Sequence, residues 1–302
     1  MAKVKPDTAK NYLKALRSHH VEKGYDTAVF SDARVDLLIR GGKRFYGEGV
    51  KRLRLPLTHD ILVRIIHGIS NDYNGINVKA ALCVAFAAFL RSGEFTWETW
   101  DPSTSPRFAL ARQHVTFNKD GSATLFLPAS KTDPSRRGVP IQLAAVPTSP
   151  LCPVTALRIL ISRCPALPNQ PMFARISGGP FNRQYIVAQV RELLLRAGLQ
   201  TTGFSGHSIR KGAAVTAWNN GISKDEIKLM GRWKSDAVLI YINEVEESQH
   251  AHRLQLLGKR LLRTPPAIVP HSTSRAHLET TPAHAVPRLA STPSPARRRR
   301  RL

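Results

Sequence analysis

The segment Val78–Leu90 is apolar on nearly every face that a helix would present. A helix of that kind has no side to give to water, so other elements must surround it. It is too short to cross a bilayer, which takes about 18–20 apolar residues, and it runs directly into Arg91. The chain is therefore expected to build a core around this helix, with Asn77 as its N-cap.

The neighbouring segments supply what is needed. Thr58 follows Pro56 and Leu57 and can cap a helix reaching about Ile69. Beyond the central helix the apolar period changes from helical to alternating. His114–Asn118, Ala123–Pro128 and Gly138–Leu143 read as short strands, with Gly121 and the Asp133, Pro134, Ser135 cluster as turns. The helical period then returns in Pro153–Ser162, Asn182–Ala197, Ser208–Asn219 and Ser223–Met230, with Gly198 and Gly221 placed as stops. A short helix at Ala237–Ile242 and a last one over Val245–Leu262 follow. Residues 1–55 read as a basic helical piece. Thr8–His19 carries Ala9, Tyr12, Leu13 and Leu16 on one face, and a short helix begins at Val35–Ile39. From residue 263 on, Pro, Ser, Thr and Ala dominate, so 263–302 is expected to be disordered. The expected fold class is mainly α with a small antiparallel β-sheet. Its organisation is a helical region 1–55, a main domain 56–262 and a basic tail.

Charge narrows the partners. Lys and Arg number 45 against 21 Asp and Glu, a net of +24, which points first to nucleic acid. The tail carries eight Arg against one Glu, so +17 remains on the rest and the folded part is basic by itself. Cys83, Cys152 and Cys164 form no closely spaced pair and are expected to be free thiols. No zinc pattern is completed by the histidines. There is no secretory leader and no apolar stretch long enough for a membrane span, so a soluble intracellular protein without membrane contact is expected. The five arginines of Arg297–Arg301 read as a nuclear targeting signal or a nonspecific phosphate contact.

A set of residues then stands out by its order: Arg91 with Glu94, Lys131 among the strands, His207 and Arg210 at a helix start, Arg232 and Trp233, and Tyr241. Taken one at a time each has an ordinary reading. Arg91 sits at a helix end, Lys131 in a loop, and Tyr241 in an apolar run. Together they suit attack on a DNA phosphodiester. A tyrosine phenol serves as nucleophile once deprotonated. Arg91 and Arg210 can clamp the nonbridging oxygens through their forked donors. Lys131 can deliver a proton to the departing 5′-oxygen, His207 can hold an oxygen or handle the tyrosine proton, and Trp233 can close the pocket. Glu94 supports Arg91. The cations already neutralise the developing charge, so no metal or other cofactor is expected.

These residues resemble the tyrosine recombinase, or phage-integrase-like, family. Its pattern is an Arg with an acidic residue three positions on, a hairpin Lys, a His-x-x-Arg, a His or Trp, and a Tyr. The resemblance covers roughly residues 56–245, and residues 1–55 resemble the end of that family's N-terminal core-binding domain. The segment Gly231–Ala237 is similar to recombinases of eukaryotic mobile elements. The resemblance implies DNA cleavage and rejoining through a 3′-phosphotyrosyl link at Tyr241, in recombination or integration, without metal or ATP. It also implies double-stranded DNA as partner, a homotetramer on DNA, and a nuclear location in a eukaryote or a cytoplasmic one with DNA otherwise. One departure stands out. The family's His or Trp lies nine positions before the Tyr, where this chain has Arg232, while Trp233 lies eight before. Either residue fills that role.

Three other readings stay open. The chain can be a catalytically inactive DNA-binding remnant. A metal-dependent transposase would need converging carboxylates, and Asp101, Asp133 and Glu192 suggest no such arrangement. A type I topoisomerase would use similar residues without partner exchange.

Overall fold

The computed structural model describes residues 4–47, 54–131 and 133–242. The expected helix Val245–Leu262 and the tail 263–302 lie outside them. The element order is α1 (Pro6–Lys23), α2 (Ala33–Tyr46), α3 (His59–Ile66), α4 (Tyr73–Ala87), α5 (Ser92–Phe95), β1 (Val115–Phe117), β2 (Ala123–Leu127), β3 (Val139–Leu143), α6 (Pro153–Arg163), α7 (Arg183–Arg196), α8 (Ser208–Asn219) and α9 (Lys224–Met230). The mainly helical architecture with one small antiparallel sheet is as expected.

The central helix is α4. Leu82, Cys83, Val84 and Ala85 are all fully buried on consecutive positions, so water reaches no face of that turn. Its start differs from expectation. Asp72 is the N-cap and accepts from the Gly75 amide at 2.7 Å. Asn77 lies inside the helix, where its Nδ2 donates to the Tyr73 carbonyl at 2.8 Å and its Oδ1 accepts from the Ala174 amide at 3.0 Å. Its polar group is thus spent on tying α4 to the 171–181 loop, which satisfies a buried amide that would otherwise be costly. Thr58 does stand at the N-cap of α3, but its side chain makes no capping bond.

The sheet runs β1-β2-β3, with Leu125 opposite Val115 on one side and Ile141 on the other. Along β2, Ala123, Leu125 and Leu127 are buried while Phe126 is exposed, the period-2 pattern of a half-buried sheet. The main core gathers α3, α4, α6, α7 and the buried face of this sheet. A second, smaller core holds Phe89, Ala213, Ala214, Ala217, Ile227, Val238 and Ile242. All three cysteines are free and buried.

The N-terminal helices form a hairpin by themselves, in which α2 extends well past the short helix expected at Val35–Ile39. Neither helix buries a residue: Tyr12 and Leu16 remain more than half exposed, as do Leu37, Leu38, Phe45 and Tyr46. The apolar face seen in the sequence is present, and α2 covers it only in part: Ala9 and Leu13 are half-buried, while Tyr12 and Leu16 stay exposed. No helix of the described residues is long and apolar enough to cross a membrane.

Candidate active site

The site forms where α4 ends. Phe89 takes a left-handed conformation (φ +50°), turning the chain so that Arg91 opens α5. Glu94 reaches back: its Oε2 accepts from the Arg91 amide at 2.8 Å and its Oε1 from Arg91 Nη1 at 2.7 Å. The same carboxylate accepts from Arg232 Nη2 at 3.2 Å. Glu94 is buried, and three donors from two residues satisfy it. One carboxylate thereby sets the orientation of two guanidiniums.

Arg210 comes from the first turn of α8 and is only 3 % exposed. Its Nη1 donates to the Phe89 carbonyl and its Nη2 to the Gly231 carbonyl. Trp233 covers it: the guanidinium carbon lies 4.0 Å from the centre of the indole ring, a cation–π contact. The ring folds back over Gly231, where any Cβ would collide with it. Burial, and then the nearby Arg91, push Arg210 down to about 9, which still leaves it charged at neutral pH.

Arg232 and Trp233 occupy different places. Arg232, also left-handed (φ +58°), directs Nη1 at the Ala88 carbonyl (2.9 Å) and Nη2 at Glu94, while its buried Nε has no hydrogen-bond partner among the described residues. Burial lowers it too, ahead of the opposing pull of Glu94. Trp233 stands edge-on to Phe89 at 6.2 Å and to Tyr241 at 6.5 Å. Two non-glycine residues with positive φ meeting at one site mark strain held by the surroundings, which is typical of functional positions.

Tyr241 is placed by the second core. A 3-10 turn at Asp236–Val238 leads into helical residues 239–242, a tighter start than the helix expected from Ala237. Val238 and Ile242, four residues apart, are both fully buried and fix the face on which Tyr241 stands half-buried. The Lys211 ammonium lies 5.7 Å from the centre of the Tyr241 ring and donates to the Arg54 carbonyl at 2.9 Å.

His207 precedes α8 and is exposed. Its protonation is disfavoured, first by such burial as its ring has and then by the guanidiniums of Arg54, Arg183, Arg210 and Arg91. Neutral imidazole is the form favoured there. Close approach of the His207 and Arg91 segments depends on Gly206, since a Cβ at that position would lie 2.7 Å from Ser92 Oγ.

Lys131 lies on the loop joining β2 to β3 and is exposed. That loop is braced: the Gly138 amide donates to Asp133 Oδ2 at 2.9 Å, and Arg136 lies over the Phe108 ring at 4.5 Å. No described contact joins Lys131 to the arginine cluster. The structure thus brings together Arg91, Glu94, Arg210, Arg232, Trp233 and Tyr241, sets His207 beside them, and leaves Lys131 apart on the hairpin. Sequence reading did not single out Arg54, Arg183 or Lys211. Lys211 follows Arg210 directly, but neighbours in sequence face different sides of a helix, and nothing in sequence marks the other two.

The Phage integrase family model matches residues 56–247. Among solved structures, XerH site-specific recombinase bound to palindromic difH substrate is similar in fold. Its TM-score is 0.51 at 14 % identity, over 68 % of this chain and 54 % of that one. XerA recombinase matches with TM-score 0.44 at 18 % identity, covering 83 % and 84 % of the two chains. A lambda integrase dimer bound to a COC′ core site matches with TM-score 0.43 at 14 % identity, covering 80 % and 65 %. This chain thus spans about half the length of the XerH chain it matches. No curated protein is similar to it in sequence. Since the family match extends over well more than half of the chain, the protein belongs to the phage integrase family of tyrosine recombinases.

Proposed function

We propose that this chain cuts and rejoins DNA with Tyr241 as nucleophile. The observation that carries this reading is the convergence of Arg91, Arg210 and Arg232 on the end of α4, ordered by Glu94, with Tyr241 one aromatic ring away across Trp233. The Tyr241 phenol oxygen attacks the phosphorus of one phosphodiester and passes its proton to a neighbouring base, for which neutral His207 is suited. The bond from phosphorus to the 5′-oxygen breaks, its electron pair stays on that oxygen, and Lys131 supplies the proton once the hairpin closes on DNA. Arg91 and Arg210 stabilise the charge on the nonbridging oxygens. One phosphodiester becomes a 3′-phosphotyrosyl ester of similar energy, so a 5′-hydroxyl can reverse the step without ATP or metal. Trp233 acts by holding Arg210, and Arg232 by holding Glu94.

The biological setting follows the same reading: recombination or integration of a mobile element on double-stranded DNA, by four copies of the chain, with a nuclear location in a eukaryote. The strong basic charge of this chain suits DNA.

One observation favours the alternative, a DNA-binding protein without catalysis. Arg210 is almost fully buried, and two of its donors are engaged by carbonyls. The deciding experiment incubates the full chain with nicked duplex DNA in EDTA and looks for a covalent protein–DNA adduct. An adduct in the wild type and none in Tyr241→Phe is the expected result. Retarded DNA without adduct on several substrates supports the binding-only reading.

A further inference from the structure

Outside the residues assigned above, Arg183 occupies an unusual place. It opens α7 and is exposed, yet its side chain lies across two glycines that flank catalytic positions. Its Cδ is 3.5 Å from where a Cβ on Gly206 would stand, next to His207. Its Nη2 is 3.7 Å from the corresponding point on Gly93, two residues after Arg91. Without a Cβ at either position, the arm lies in a notch between the two catalytic segments. Arg54 is a second cation near enough to His207 to disfavour its protonation.

The charge of this notch is unbalanced. The carboxylate at the site, Glu94, already serves Arg91 and Arg232. No acidic group among the described residues pairs with Arg183. Unpaired positive charge of this kind raises the local potential and draws a polyanion. A DNA strand offers one charge per nucleotide, so a strand seated with one phosphate between Arg91 and Arg210 brings the next one along its backbone.

We propose that Arg183, assisted by Arg54, binds the phosphate adjacent to the one attacked, so that the strand is held at two consecutive phosphates. This rests on the reading of the Arg91–Arg210 pocket as the site of the attacked phosphate. Arg183 is a positioning residue on this view: it fixes the register of the strand relative to Tyr241 and takes no proton.

The test compares the full-length wild type with Arg183→Ala, Arg183→Lys and Arg196→Ala on a nicked duplex in EDTA, across a range of salt. Arg196 lies at the far end of α7 and pairs with Glu192, so it controls for general loss of charge. Loss of one phosphate contact lowers the slope of log affinity against log salt by about 0.9. That drop is expected for Arg183→Ala, with little change for Arg183→Lys or Arg196→Ala and no change in melting temperature. A slope for Arg183→Ala equal to that of the wild type overturns the proposal, whether or not an adduct forms. A reduced slope with no adduct in the wild type leaves the contact standing and removes the catalytic reading. Where an adduct does form, single methylphosphonates are placed around the cleaved position. A neutral group at one adjacent phosphate should slow the wild type and leave Arg183→Ala no slower than it already is. Equal slowing of both proteins at every adjacent position also overturns the proposal.

Discussion

At the scale of single residues, the site is an arrangement of positive charge around one imidazole. His207 has its pKa lowered because burial and four guanidiniums all oppose its protonation. A DNA phosphate placed in the same notch has the opposite effect, since a nearby anion favours the imidazolium. Free protein therefore holds fewer protons on His207 than the DNA complex does in the pH range between the two pKa values. By linkage, binding takes up a proton there, and affinity rises as pH falls through that range. For folding the sign is the reverse. A histidine depressed in the folded state contributes stability in full above its unfolded pKa, and that contribution is lost as pH falls toward the folded value. Titrating DNA affinity at constant ionic strength from about pH 8 to about pH 5.5 should show the rise, and His207→Gln should flatten it. An equal rise in the variant would place the proton elsewhere. That Arg91, Glu94, Arg210, Trp233 and Tyr241 would come together was legible in sequence from their order along the chain. Their division of labour was not: whether Arg232 or Trp233 stood in for the sixth group depended on a single left-handed residue. Here Arg232 turns inward to Glu94, and Trp233 lies flat on Arg210.

At the scale of elements, the site depends on how closely α8 approaches the strand-like segment that precedes α3. The Leu57 amide donates to the Ser208 carbonyl at 2.8 Å, and the Leu55 amide to the Gly203 carbonyl at 3.0 Å. Gly212 makes this contact possible, because a Cβ there would sit 1.8 Å from the Leu57 carbonyl oxygen. That atom is backbone and cannot swing aside, so one of the two segments must move. Gly212→Ala is expected to cost at least the upper part of the about 1–3 kcal/mol typical of overpacking, although alanine is the better helix former. Since Arg210 and Lys211 precede it on the same helix, adduct formation should fall more steeply than stability. Urea unfolding and the adduct assay, run on the same variant, check both parts. A variant as stable and active as the wild type would mean that α8 has room it does not show. Period and turn residues placed the strands and most helices correctly, because most of those elements bury one side and leave the other wet. The start of α4 was misplaced for the converse reason. Where a helix is buried all round, no periodicity marks its ends, and Asn77 read as a cap although its amide serves the 171–181 loop. The contacts that bind residues 54–57 to α8 and the loop before it, two backbone bonds and the Lys211 bond to the Arg54 carbonyl, join distant segments and leave no trace in sequence.

For the whole molecule, the governing quantity is charge. Of the net +24, the segment 263–302 carries +7, and +17 belongs to the rest. The proposed catalytic set lies entirely within the part that keeps +17, so the two portions should separate in experiment. Each phosphate neutralised by Lys or Arg releases a counterion and adds about 0.9 to the salt slope. A chain ending at residue 262 should therefore bind duplex DNA more weakly at moderate salt and show a shallower slope than the full chain. The adduct it forms at saturating DNA should match that of the full chain, because saturation removes the difference in affinity and leaves only the chemistry. Titrations over a range of salt, followed by adduct yield at saturation, measure the two quantities independently. If the shortened chain saturates DNA yet forms less adduct, the tail contributes to the reaction itself. The Arg-rich run Arg297–Arg301 would then need a place near the attacked strand as well as its general attraction for phosphate.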